Sequence, residues 1–198
     1  MNKKNSGPER RLSNFVVACI PMTTSRYFTL WFTGLPCSGK TTLADLVARE
    51  LLSLGSPVER LDGDIFRKSA SKELGYSRID REKNVSRAAL AATDLMTRAI
   101  AVASFVSPYR SMRQHARDLM RPNFIEIYLD CTLEICEKRD TKGMYKRARD
   151  GKIGHFTGIS DPYEAPLHPE IILNTHRLDA ETCVRRILDY LKSNQFIK

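Results

Sequence analysis

Residues 27–33, Tyr-Phe-Thr-Leu-Trp-Phe-Thr, form a run of aromatic and β-branched side chains, and such a run predicts a strand. After a glycine-rich turn the period changes. Leu43, Leu46, Val47, Leu51 and Leu54 recur at helical spacing, so residues 41–54 read as a helix, with Gly55 as its stop. Short apolar runs at 58–61, 100–106, 124–129 and 170–173 read as further strands. The stretches 65–74, 80–98, 110–121, 133–139 and 179–193 read as helices between and after them. The run 100–106 is nearly all apolar, as expected of a parallel strand covered on both faces. Strands alternating with helices predict an α/β fold: one three-layer domain, a mostly parallel sheet flanked by helices. Such sheets bind ligands beyond the carboxyl ends of their strands. Gly34, Asp62, Asp64 and Ser107 each follow a predicted strand.

Residues 1–25 break this pattern. Lys3, Lys4, Arg10 and Arg11 stand among Asn, Ser, Gly and Pro, and the segment reads as a flexible basic arm preceding a domain at 26–198. A chain of 198 residues is too short for two ordinary domains. No apolar run approaches the ~18–20 residues that a membrane helix needs, so no membrane partner is expected. The formal net charge of +9 suits phosphate-bearing partners, but charge alone does not choose among nucleic acid, an anionic membrane and nucleotides. The cysteines Cys19, Cys37, Cys131, Cys136 and Cys183 are odd in number and contain no C-x-x-C pair. That argues against a disulfide framework or a zinc site. With a polar start that lacks the apolar core of a secretory signal, it gives a cytoplasmic expectation.

The chemistry is carried by Gly34-Leu35-Pro36-Cys37-Ser38-Gly39-Lys40-Thr41, which matches G-x-x-x-x-G-K-[ST] between a predicted strand and a predicted helix. Its glycines let backbone N–H groups wrap around phosphates, and the helix N-terminus adds positive potential. Lys40 is expected to reach the β- and γ-phosphates of ATP, and the Thr41 hydroxyl to ligate Mg²⁺. Asp62 and Asp64, separated by one glycine at the next strand end, can divide two tasks: organising the metal and taking a hydroxyl proton. Arg81, Asn84 and Arg87 share one helical face by i, i+3 spacing. Lys142, Lys146, Arg147, Arg149 and Lys152 are the densest cationic cluster, and a lid at about 142–158 is expected to close over ATP. On these residues alone the acceptor stays open. A kinase for another nucleotide, a nucleoside or a small alcohol fits them, as does a non-catalytic nucleotide- or nucleic-acid-binding module.

Six stretches in order resemble the adenylylsulfate kinases. They are 32–42 around the Gly-rich loop, Leu61-Asp-Gly-Asp64, Leu74-Gly-Tyr-Ser77 with Asp80, Arg81 and Asn84, Phe105-Val-Ser-Pro-Tyr-Arg110, Lys142-Gly-Met-Tyr-Lys-Arg-Ala-Arg149, and Phe156-Thr-Gly-Ile159 with Tyr163-Glu-Ala-Pro166. The resemblance implies transfer of the γ-phosphate of ATP to the 3′-hydroxyl of adenosine 5′-phosphosulfate (APS), in a homodimer with no nucleic-acid partner. It implies that Arg67, Arg81 and Asn84 hold the acceptor, that Tyr76 and Phe156 flank its adenine, and that Val106 and Ser107 line the site. It further implies that Lys142 meets the sulfate or phosphate, and that Asp64, with Asp62 beside it, orients or deprotonates the 3′-hydroxyl. Thr42 belongs to the ATP loop, and Ser107 matches a serine described in the family as a phosphorylated intermediate. The chain departs from the family pattern at Ile65, where Asn is frequent, at Ser86, where Arg is frequent, and at Met144 in place of a common Leu.

Overall fold

The computed structural model describes residues 27–198, so the basic arm at 1–25 lies outside the described residues. The elements run β1 (Thr29–Thr33), α1 (Lys40–Ser53), β2 (Val58–Asp62), α2 (Gly63–Ser69), α3 (Arg78–Leu95), β3 (Ile100–Ser104), α4 (Arg110–Met120), β4 (Phe124–Asp130), α5 (Leu133–Lys138), α6 (Met144–Arg149), β5 (Ile171–Asn174) and α7 (Ala180–Ser193). The five strands form one parallel sheet in the order β2-β3-β1-β4-β5.

Every residue of β1 and β3 is buried, because helices cover both faces. The strand period of two divides the core in half. Leu30 and Phe32 of β1, with Ile100 and Val102 of β3, pack under α1 and α7. Trp31, Ala101 and Ala103 face the other way, under α3 and α4. On that second face Ala88, Ala89 and Ala92 of α3 meet the two strand alanines, and small side chains let the helix approach the sheet closely.

Helix starts follow local chemistry. The Asp62 carboxylate caps α2 by accepting from Asp64 N and Ile65 N, Ser77 Oγ caps α3 from Asp80 N, and Asp179 caps α7 from Thr182 N. Several predicted bounds shift, two of them beside the cleft. The helix expected over 65–74 ends at Ser69, and residues 70–73 turn instead. The helix expected from 80 begins at Arg78, because Ser77 supplies the cap three residues before the Asp80 amide it receives.

Candidate active site

The ends of β1, β2 and β3 open into one cleft of about 1240 Å³, bounded on its far side by residues 139–157. The phosphate loop forms its floor. Gly34 has φ +151°, and a Cβ there would lie 2.8 Å from the Leu129 carbonyl oxygen, so only glycine fits. Gly39, at φ +98°, precedes α1 and turns the loop into the helix. Cys37 also has positive φ, at 60°. Its thiol is pushed up by burial, then by nearby Asp140, which argues against a reactive thiolate.

Lys40 Nζ donates to the carbonyl oxygens of Gly34 (3.0 Å) and Leu35 (2.7 Å), so the ammonium sits inside the curl of its own loop. Loss of hydration there pushes its pKa down to about 8. Thr41 Oγ1 donates to Asp62 Oδ2 at 2.9 Å, and Ser104 Oγ donates to the same oxygen at 3.0 Å. Burial pushes the Asp62 carboxyl up, but the bonds from Thr41, Ser104, Ile65 N and Asp64 N outweigh it and hold the group below the usual range. Asp62 is therefore ionised at neutral pH and touches the Thr41 hydroxyl. Two hard oxygen donors so placed suit Mg²⁺, which takes few protein ligands and completes its shell with phosphate and water. Among the described residues no cluster of three or more His, Cys, Asp or Glu side chains forms a metal cage.

Asp64, two residues along, is paired with Lys142 Nζ at 2.5 Å across the cleft. That hydrogen bond raises the lysine above its ordinary value. The acceptor residues named from the sequence line the same cleft: Arg67, Tyr76, Arg81, Asn84, Val106 and Phe156. Arg67 donates to the carbonyls of Leu74 (3.2 Å) and Gly75 (2.7 Å), and its guanidinium lies 4.6 Å from the centre of the Tyr76 ring. Tyr76 is 53% exposed at the mouth. Phe156 is buried edge-on against Tyr145, with ring centres 4.9 Å apart, and Tyr145 donates its hydroxyl to Pro36 O of the phosphate loop at 2.9 Å. Asn84 is buried, and its Oδ1 has no hydrogen-bond partner among the described residues. A buried amide oxygen in a cleft wall without a protein donor marks a place for a ligand donor.

The predicted shared face of α3 is only partly kept. Arg81 and Asn84 point into the cleft, but Arg87 turns away, pairing with Glu73 and donating to Ala70 O at 3.0 Å. Three positions along a helix is 300°, so two such steps carry Arg87 well round the axis from Arg81. In the cationic stretch, Lys142 and Arg147 line the cleft, whereas Arg149 pairs with Glu137 and Lys152 with Asp150. Ser107 is buried at φ 37°. Its Oγ accepts from Trp31 Nε1 at 3.1 Å and donates to Thr33 Oγ1 at 3.2 Å.

Sequence reading missed part of the wall. Arg139, Thr175, Leu178 and Cys183 close the end of the cleft beside the phosphate loop. Thr175 Oγ1 donates to Ser38 O at 3.0 Å, and Arg139 donates to Thr175 O at 2.7 Å. They come from three segments, the end of α5, the turn at 175–178 and α7, with no local motif, and the parallel pairing of β4 with β5 brings them together. Ser104, the second donor to Asp62, was likewise read as ordinary strand.

The sheet order, the phosphate loop on β1 and the acidic end of β2 together define a P-loop kinase. The model of the adenylylsulphate kinase family matches residues 26–174, and the chain belongs to that family. It is 47% identical over 175 residues to the adenylyl-sulfate kinase of Synechococcus sp. (strain JA-3-3Ab), covering 87% of this chain and 98% of that one. The structure resembles the Mycobacterium tuberculosis APS kinase in complex with AMPPNP and APS, with TM-score 0.82 and 37% identity over 84% of this chain and 98% of that one. It also resembles the hexameric APS kinase from Thiobacillus denitrificans (TM-score 0.67, 30% identity), covering 87% of this chain and 31% of that longer one.

Proposed function

We propose that this protein transfers the γ-phosphate of ATP to the 3′-hydroxyl of APS, giving ADP and 3′-phosphoadenosine 5′-phosphosulfate. One observation carries the reading. A single continuous cleft joins the phosphate loop and Asp62 to Arg67, Tyr76, Arg81, Asn84 and Phe156. A donor nucleotide and a second nucleotide can therefore meet head to head, as in-line transfer requires. The likeness to a relative solved with AMPPNP and APS supports it.

The backbone of residues 34–42 and Lys40 hold the phosphates of ATP. Thr41 and ionised Asp62 would hold Mg²⁺, which would supply positive charge to offset that of the transferring phosphate. Asn84 and Arg81 orient the acceptor from α3, Arg67 holds it from α2, and Tyr76 and Phe156 flank its adenine, since flat bases gain from aromatic faces. Asp64 orients the 3′-hydroxyl and accepts its proton, while Lys142 moves from Asp64 to the acceptor's phosphosulfate. The pair is exposed, with side chains 67% and 71% accessible, so separating it costs little. Transfer runs directly from ATP to the acceptor. Ser107 spends its hydroxyl on Trp31 and Thr33 and, with Val106, shapes the loop lining the acceptor.

We read the working unit as a cytoplasmic homodimer. The family resemblance supports it, and one structural relative, of whose chain this one covers 31%, is hexameric. The described cysteines are free thiols, and among the described residues no helix is long and apolar enough to cross a membrane. Light scattering on the purified protein gives the assembly state directly. The activity itself is tested by mixing protein, ATP, Mg²⁺ and APS and analysing the products by mass spectrometry. A 3′-phosphorylated product that disappears with Lys40→Ala is expected; ADP without that product would remove APS as the acceptor.

A further inference from the structure

Residues 155–161 form a tight loop whose first residues, His155 to Thr157, line the cleft. The Phe156 carbonyl accepts from the amides of Ile159 (3.0 Å), Ser160 (3.0 Å) and Asp161 (3.1 Å), while Gly158 N donates back to Asp161 O at 2.8 Å. Ser160 Oγ accepts from Phe156 N at 2.9 Å. The loop is thus well knit internally, but backbone bonds alone do not fix it against the rest of the molecule.

Arg81 supplies that attachment. It spends three of its five N–H groups on holding elements together: Nε donates to Tyr76 O (2.9 Å), one terminal nitrogen to Thr157 Oγ1 (2.8 Å), and the other to His155 O. The Asp161 carboxylate stands 3.6 Å from that last nitrogen, with side chains only 10% and 15% exposed. His155 Nδ1, on an exposed ring, lies 3.8 Å from the same Asp161 oxygen. Asp161 Oδ2 has no hydrogen bond among the described residues. A carboxylate this sheltered, with an oxygen left unbonded, is tolerated for the sake of its charge. The guanidinium beside it, which burial makes harder to keep charged, is the group that gains.

From this we propose that Asp161 is a positioning residue for the acceptor half of the site. Its carboxylate draws Arg81 and the 155–161 loop together, and so sets two groups for one ligand: the Phe156 ring and the Arg81 N–H groups not spent on the protein. Asp161 touches neither substrate nor the reacting atoms. It deepens the function proposed above and rests on it.

Asp161→Asn preserves size and shape, keeps one acceptor oxygen and removes the charge. It is expected to raise KM for APS on the order of tenfold, to leave KM for ATP unchanged and to change kcat little. Asp161→Glu is expected to restore much of the loss, and Arg81→Lys combined with Asp161→Asn should cost less than the sum of the single changes. Equal rises in both KM values, or none, would overturn the assignment, because a merely structural residue would not separate the two substrates. Hydrogen exchange provides a reading without substrate: amides 156–161 should exchange faster in Asp161→Asn than in the wild type. Unchanged exchange sinks the role of Asp161 whatever the acceptor. Faster exchange in an enzyme that makes no 3′-phosphorylated product upholds the Asp161 tie and sinks the acceptor instead.

Discussion

At the scale of single residues, the site works through side chains whose ordinary preferences have been overridden. Lys40 would normally extend into water. Here it is drawn into its own loop by two carbonyls, and lost hydration, which works against its charge, is what phosphate oxygens would make good in the function proposed above. Lys40→Ala should therefore lower turnover by at least about 10²-fold, the scale set by removing one preorganised donor to a transition-state charge. Circular dichroism and thermal melting should remain near wild type, since no core contact is lost. Tyr76 presents a different case. Its ring is half exposed at the mouth and rests on Arg67, so the fold asks little of it. Tyr76→Ala should raise KM for the acceptor by about 5- to 150-fold, from the ~1–3 kcal/mol of one base–aromatic stack, with ATP barely affected. Steady-state kinetics with each substrate varied in turn checks this, and equal effects on both would remove the stacking role.

Among the elements, the sequence spelled out some boundaries and concealed others. Helix α7 was legible as a span, since the helix read over 179–193 is found at Ala180–Ser193, and the structure adds Asp179 as its cap. The Asp179 side chain accepts from Thr182 N at 2.7 Å, and the residue also lines the cleft. Asp179→Ala should cost about 1 kcal/mol, or roughly 2–4 °C in melting temperature for a domain of this size. A denaturant titration with unchanged slope would show that stability alone moved. Helix α2 was less legible. Its apolar spacing suggested continuation to residue 74, but the Ser69 hydroxyl bonds back to Ile65 O (3.1 Å) and Phe66 O (3.3 Å), and the chain turns so that Arg67 can take the carbonyls of Leu74 and Gly75. That turn delivers Tyr76 to the cleft. No local rule predicts it, because the arginine that organises it lies seven and eight positions upstream of its acceptors.

The whole molecule is organised around a buried polar strut that no motif announces. Arg113 of α4 bonds Glu126 of β4 at 2.7 Å, donates to Ser107 O at 2.6 Å and reaches Glu164 O. Arg117 adds Glu126 Oε2 at 3.2 Å and Glu170. Tyr163, in the same strap, shares a 2.9 Å hydrogen bond with Thr33 Oγ1, which itself donates to Val106 O at 2.8 Å. The segment beyond the 155–161 loop thus braces the loop carrying Val106 and Ser107. Arg113→Met should destabilise the fold by about 3–5 kcal/mol, because it strands Glu126 without its main buried partner. Melting should fall on the order of 10 °C, and a variant within about 2 °C of wild type would show that the strut is dispensable. By itself the sequence determined the alternation of strands and helices, the phosphate loop and its flanking elements, and the acidic pair after β2. Each is written in residues close together, where period, turn chemistry and capping act. Only the tertiary structure decided that Asp62 meets Thr41, that Lys142 pairs with Asp64, that Arg87 leaves the face Arg81 keeps, and that Arg81 is tied to a loop some 75 positions away. Those contacts depend on which strands lie side by side and on which buried charges find each other, and that is settled by packing the whole chain at once.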